Sequence, residues 1–263
     1  MKNEVNLSDA LAVAQQAARE AGRIMTEMAE RGFRVEHKGE IDLVTEVDVL
    51  CEKAVEGILG ASFPGYGILG EEYANVQSGA KYKWVIDPID GTTNYAHGFP
   101  VYCSSVALTL DGAPIVGAVY DPTRDEMFCA VQGMGAMLNG YPIRVSHTAE
   151  LIKSLLATGF PYDIKTTPRN NLKQFADFAM RAQAIRRPGA AALDLCYVAA
   201  GRMDGFWEFH LKPWDIAAGA LIVAEAGGTV TMSGGEELDI YRSDIVASNG
   251  IIHKEMLEVL GMR

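Results

Sequence analysis

Apolar side chains recur every three and four residues near the start of the chain, at Leu7, Leu11, Ala14, Ala18, Ala21, Met25 and Met28. That period predicts an amphipathic helix over residues 7–29, capped by Ser8 or Asp9, with Gly32 beyond its end. A second helix is expected over 47–59, stopped by Gly60 and Pro64. Residues 83–86 read as a short buried strand that ends on acidic side chains. From Cys103 onward the pattern changes. Two apolar runs, 106–110 and 115–119, flank Asp111-Gly112 and predict a hairpin. Residues 127–131 add a third antiparallel strand, and Gly133, Gly135, Asn139 and Gly140 mark turns. The second half mixes helices (171–183, 190–200, 213–226 and 251–260) with short strands (229–232 and 245–247). Pro213 stands at a tolerated early helical position, and Gly227-Gly228 stop that helix. Strands in blocks between helices predict an α+β layered sandwich rather than a doubly wound sheet.

The chain has 263 residues. That is enough for one large single-core domain over 1–263, or for two closely packed lobes at roughly 1–145 and 146–263. No apolar run approaches the ~20 residues that span a bilayer. Residues 1–9 lack the apolar stretch of a signal peptide, so a cytoplasmic location is expected. Lys and Arg number 23 against 34 Asp and Glu, a net charge of −11. This argues against broad nucleic-acid or membrane binding. It would also repel an anionic substrate, unless clustered carboxylates hold metal ions that reverse the local field. Cys51, Cys103, Cys129 and Cys196 show no paired spacing and read as free thiols in a reducing compartment. The histidines show no ligand spacing, so no zinc site is expected.

The segment from Trp84 to Asn94 carries the chemistry. A buried strand delivers Asp87, and Pro88 stiffens the exit. Asp90 follows three residues later, so both carboxylates can face one point. Gly91, Thr92 and Thr93 then offer backbone N–H groups and hydroxyls, an anion site if a helix starts there. Carboxylates beside phosphate-binding amides call for a hard cation between them. All-oxygen ligands with few carboxylates suit magnesium. Taken alone, Asp90 would read as a helix cap and Asp87 as solvated. Glu71, after Gly70, would read as a loop acid. Asp215, after Trp214, would read as a first-turn acid favouring the helix dipole.

The run Asp87, Pro88, Ile89, Asp90, Gly91, Thr92, Thr93, Asn94 resembles the signature of the inositol monophosphatase family, in the lithium-sensitive phosphatase superfamily. Gly70-Glu71-Glu72 resembles a second family motif. Trp214, Asp215 and Gly219, running on to Glu225 and Gly228, resemble a third. Residues 42–48, with Thr45 and Asp48, resemble the segment that precedes the acidic loop. The resemblance implies a layered α/β/α/β/α sandwich of the inositol monophosphatase and fructose-1,6-bisphosphatase type, usually a homodimer. It implies two or three Mg2+ per subunit. Glu71, Asp87 and the Ile89 carbonyl would hold one; Asp87, Asp90 and Asp215 a second; Glu71 would share a third. Gly91 and Thr92 would bind phosphate through their amides, with Thr93 beside them. Glu71 and Thr92 would orient the attacking water, with Asp48 bonded to Thr92. Gly189, Ala191 and Glu208 would contact the alcohol. The segment Thr158-Gly159-Phe160-Pro161 looks like bacterial members and departs from the animal pattern.

The implied reaction is metal-assisted hydrolysis of a phosphate monoester, without a covalent intermediate. Inositol-1-phosphate leads as substrate, because Glu208 can accept sugar hydroxyls. The rivals are fructose-1,6-bisphosphate, histidinol phosphate and 3′-phosphoadenosine 5′-phosphate. A different class also stands open: a binding partner of a larger assembly such as the transcription machinery. Two other patterns are set aside. Cys196 and Arg202 have cysteine-phosphatase spacing, but they fall on a helix former with Leu193, Cys196 and Ala200 on one face. Gly65, Gly67 and Gly70 have dinucleotide-loop spacing, but they follow a helix and lead into two acids. They read as a turn-rich loop. The basic pair Arg186-Arg187 could meet acids at a subunit contact.

Overall fold

The computed structural model describes residues 5–37, 43–73, 75–76 and 79–261. Asp42, part of one resemblance above, lies outside them. The chain opens with α1 (Leu7–Arg31). Its cap is Asn6, whose side chain accepts from the Ser8 and Asp9 amides at 3.1 and 3.4 Å. Ser8 and Asp9, the expected caps, already lie within the first turn. A cap must precede the first helical residue for its oxygen to reach the orphan amides. Strands β1 (Val35–His37) and β2 (Leu43–Thr45) pair antiparallel and lead into α2 (Glu46–Ser62). Gly60 does not stop α2. Its penalty of about 1 kcal/mol is offset by a buried face that includes Cys51, Val55 and Leu59.

Next come β3 (Gly67–Gly70), β4 (Asn75–Val76), β5 (Tyr82–Asp90), α3 (Thr92–Ala96), β6 (Cys103–Leu110), β7 (Ala113–Asp121), β8 (Glu126–Val131), β9 (Gly135–Leu138) and β10 (Tyr141–Pro142). They form an eight-stranded sheet in the order β10-β9-β8-β7-β6-β5-β3-β4. The β6–β7 hairpin turns at Asp111 and Gly112, both with positive φ, as its sequence dictates. Two elements differ from expectation. Residues 67–70 are a strand parallel to β5, not a turn-rich loop. There Ile68 and Leu69 pack into cores on opposite faces of the sheet. The expected four-residue strand runs on to Asp90 because the register slips between Asp87 and Asp90. That irregularity accommodates Pro88, which has no N–H to give the ladder.

The second half holds β11 (Leu155–Thr158), α4 (Leu172–Ala179), β12 (Ala184–Arg186), α5 (Ala191–Ala199), β13 (Gly205–Phe209), α6 (Pro213–Glu225), β14 (Thr229–Thr231), β15 (Asp244–Ser248) and α7 (His253–Val259). Its five-stranded sheet has the order β12-β11-β13-β15-β14. β11, β12 and β13 carry no alternation in sequence; β11 pairs parallel with both neighbours, a setting where apolar runs replace it. The helix expected over 171–183 stops at Ala179, and the chain then extends into β12.

The layers stack as α1 and α2, the large sheet, α5 and α6, the small sheet, then α4 and α7. This is the α/β/α/β/α sandwich. Helices α5 and α6 are covered on both sides, and all nine residues of α5 are buried. Three apolar clusters fill the gaps between layers. All four cysteines are free and buried, Cys196 in the middle layer among them. Met25 is buried beneath the first sheet, with Met28 packed against the same cluster. No helix among the described residues is long and apolar enough to cross a membrane.

Candidate active site

The buried run Trp84, Val85 and Ile86 fixes the end of β5, and Asp87 follows at 1% exposure. Its Oδ1 is buried and has no hydrogen-bond partner. Asp90 turns toward the middle layer, where its Oδ2 accepts from the Ala192 amide at the start of α5, 2.6 Å away. Gly91 takes φ 95°, and a Cβ there would lie 2.9 Å from the Val101 carbonyl. Only glycine fits that position without strain. A helix does start there: α3 begins at Thr92, but it spans five residues only. The Thr92 hydroxyl lies 2.9 Å from Asp48 Oδ1 and 2.9 Å from the Ile89 carbonyl. Asp48 also accepts from the amide and hydroxyl of Thr45 through Oδ2, closing the capping box of α2.

Two acids arrive from elsewhere. Glu71 sits just past β3. Its loop is shaped by Glu52 of α2, whose buried carboxylate accepts from the Glu72 and Tyr73 amides at 2.8 and 2.9 Å. Gly70 lies so close to Glu52 that a Cβ would stand 2.5 Å from its oxygen. Asp215 is the third residue of α6, after Pro213, and accepts from the Lys212 amide at 2.6 Å. It caps the helix as well as facing the site. Sequence reasoning missed Glu52; buried on an amphipathic helix, it looks like any polar interruption.

Opposite lies the small-sheet side. β13 carries Glu208 at 8% exposure. Asn94 ties α3 to this side, its amide donating to the carbonyls of Val101 and Pro188 at 2.7 and 2.8 Å. Gly189, at φ 92°, sits against that amide and the Arg187 guanidinium. Arg187, whose sequence suggested only a subunit contact, lines the same cavity as the acids.

One cavity of about 700 Å³ is lined by Glu71, Asp87, Ile89, Asp90 and Asp215, and by Gly91, Thr92 and Thr93. Gly189, Ala191 and Glu208 line its other wall. Asp48 reaches it through Thr92. The residues singled out in the sequence therefore meet at one place, although the chain separates them widely. Their charges oppose one another. Burial raises Asp87 well above the usual carboxylate range, and Glu71, Asp90 and Asp215 add to the effect. Burial pushes Asp90 up to about 6 against the hydrogen bonds from Ala192 and Ala191. Burial, then Asp90, pushes Asp215 up to about 8. Burial also pushes Glu208 up to about 8, with Arg187 opposing.

Among the described residues no three acids, histidines or cysteines are drawn into a ready-made metal cage. The acids share the lining of that cavity. They nevertheless fit a hard cation. The donors are all oxygens, and Asp87 Oδ1 is a buried acceptor that no protein group satisfies.

Comparison with known proteins agrees with this architecture. The model of the inositol monophosphatase family matches residues 6–261. An inositol-1-monophosphatase of Synechocystis is 44% identical, over 95% of this chain and 88% of its own. A fructose-1,6-bisphosphatase/inositol-1-monophosphatase of Aquifex aeolicus is 41% identical, over 97% of this chain and 96% of its own. The solved inositol monophosphatase of Anabaena superimposes with a TM-score of 0.90 at 42% identity, over 97% of this chain and 96% of that one. The fold and its cavity define a phosphatase. The chain belongs to the inositol monophosphatase family.

Proposed function

We propose that the chain hydrolyses the phosphate monoester of a polyol, with inositol-1-phosphate as its leading substrate and magnesium as its cofactor. The observation that carries this reading is the buried, unpartnered Asp87 Oδ1 on a wall of four carboxylates, beside the Thr92–Asp48 pair. Glu71, Asp87, Asp90, Asp215 and the Ile89 carbonyl would hold two or three Mg2+. When bound, the cations neutralise the phosphate and make a bound water more acidic.

The protein's own groups do the rest. The Gly91 and Thr92 amides and the Thr93 side chain take the phosphate oxygens. Thr92 has one hydroxyl proton. Donated in a hydrogen bond to Asp48, it leaves the Thr92 oxygen free to accept a hydrogen bond from the attacking water; as that water's proton moves onto Thr92, the Thr92 proton moves onto the Asp48 carboxylate. Glu71 is the second acceptor for that water. Glu208, Gly189 and Ala191 face the alcohol, the Ala191 amide being shared with Asp90. Lithium inhibition, a homodimer and a cytoplasmic location belong to the same reading.

Fructose-1,6-bisphosphate is the second substrate to weigh, because the Aquifex relative carries both activities in its name. A panel assay of phosphate release, with and without magnesium, tests the reading. It should include inositol-1-phosphate, fructose-1,6-bisphosphate, histidinol phosphate and 3′-phosphoadenosine 5′-phosphate. Preference for adenosine bisphosphate over inositol-1-phosphate would reject the polyol assignment.

A further inference from the structure

Among the described residues, three buried side-chain atoms lack a hydrogen-bond partner: Trp84 Nε1, Asp87 Oδ1 and Asp194 Oδ1. Asp87 belongs to the cation wall. Asp194 does not. It stands in the first turn of α5, is 1% exposed, and lines the same cavity as Glu208. A first-turn acid ordinarily favours the helix dipole from the solvent side. Burying one without a donor opposes folding, and such groups persist where a ligand or a function uses them.

The surroundings indicate what ligand that is. Glu208 lies near enough that, after burial, its charge is the main influence raising Asp194. Arg187, on the cavity rim, opposes the shift in both groups. Glu208 is seated against bare backbone: a Cβ on Gly159 would collide with both of its oxygens. Gly159 is itself pinned, because Asn171 donates to its carbonyl at 2.7 Å and to the Thr158 hydroxyl at 2.8 Å. Asn171 accepts in turn from the Trp207 indole at 2.7 Å. Two buried carboxyl groups therefore line one cavity, Glu208 on a rigid support.

We propose that Asp194 is a specificity-determining residue, which with Glu208 forms a two-carboxyl floor that accepts hydroxyl donors from a polyol leaving group. The inference rests on the phosphatase reading and deepens it. A ring with several hydroxyls satisfies both groups at once. An alcohol without them leaves both buried and unpaired, which is how a polar site rejects an analogue that lacks the hydroxyl.

The test compares inositol-1-phosphate with p-nitrophenyl phosphate in the full chain with magnesium, for wild type, D194A and D194N. In D194A, kcat/KM should fall about tenfold more for inositol-1-phosphate than for p-nitrophenyl phosphate, chiefly through KM. D194N, which keeps one acceptor oxygen, should show a smaller loss in the same direction and a raised Tm. Should D194A fail to fold, the D194N ratio decides alone. Equal loss on both esters with a lowered Tm would make Asp194 a structural helix acid and overturn the proposal. An unchanged ratio in D194N would overturn it as well. A wild type that hydrolyses neither ester would instead overturn the phosphatase reading, and the proposal with it.

Discussion

The Thr92 hydroxyl lies 2.9 Å from Asp48 Oδ1, joining the start of α3 to the start of α2 across 44 residues of sequence. The same carboxylate caps α2 through Thr45. The cap of α2 and the Thr92 hydroxyl are thus fixed by one group. Thr92→Val should lower kcat by about 10²- to 10⁴-fold, the range of a lost acid–base group. Thr92→Ser should keep most of the activity. Steady-state phosphate release checks both. Equal activity in Thr92→Val and wild type would remove Thr92 from the water-activating pair.

Asp48→Asn should show two separable effects. The weakened cap should cost about 1 kcal/mol of stability, read as a lower Tm. Turnover should fall by more than that loss of folded protein explains, because the amide can no longer take a charge-assisted bond from Thr92.

Asp87→Asn removes a buried carboxyl whose Oδ1 has no hydrogen-bond partner. In chelator-treated protein it should leave the fold intact and raise Tm, because an unpaired buried charge opposes folding. With magnesium present it should abolish nearly all turnover. Calorimetry with and without chelator, beside an activity assay, checks the pair of outcomes. A lowered Tm in both conditions would mean that Asp87 is held by the protein for packing.

The pH dependence comes from the raised carboxyls. Asp90 at about 6 and Asp215 at about 8 bind protons more tightly in the folded chain than in the unfolded one, where they titrate near 4. The unfolded state therefore holds fewer protons between about pH 4 and 8, and stability falls as pH rises through that window. Metal-free protein should melt at a lower temperature at pH 8.5 than at pH 5.5. Magnesium should narrow the gap, since it binds the deprotonated acids and stabilises by about 2.7 kcal/mol at a hundred times its Kd. Melting curves at the two pH values, with and without metal, read this directly. A metal-free Tm that rises with pH would contradict it.

Gly91 is the backbone counterpart. A side chain there meets the Val101 carbonyl at 2.9 Å and demands φ 95° of an L-residue. Gly91→Ala should destabilise by more than about 1 kcal/mol and misplace the amides proposed to bind phosphate, lowering kcat/KM by about 10²-fold. Thermal melts beside steady-state kinetics separate the two effects.

Much of the site was legible because its residues sit in short contiguous motifs after a recognisable buried strand. Glu71, Asp87, Asp90 and Asp215 each stand at or beside the end or start of an element, and the motifs that resemble the family's, not the residues taken alone, singled them out. The small sheet was harder. β11 and β13 are buried on both faces, so Glu208 lay on a strand that no alternation announced. Pro88 and Gly60 misled in opposite ways: a bulge absorbed the proline, and burial outweighed the glycine. Asp194 was invisible for a deeper reason. A first-turn acid has the same sequence signature whether it meets water or an empty wall, and only the packing of α5 between two sheets separates the two.

The proposed function depends on Glu71, Asp87, Asp90 and Asp215 acting together as a divalent-cation site that drives hydrolysis. Phosphate release from inositol-1-phosphate by chelator-stripped protein, titrated with magnesium, addresses that claim most directly. The prediction is no turnover without metal, and saturable recovery that is lost in Asp87→Asn. Stripped protein that still releases phosphate at the full rate would contradict it.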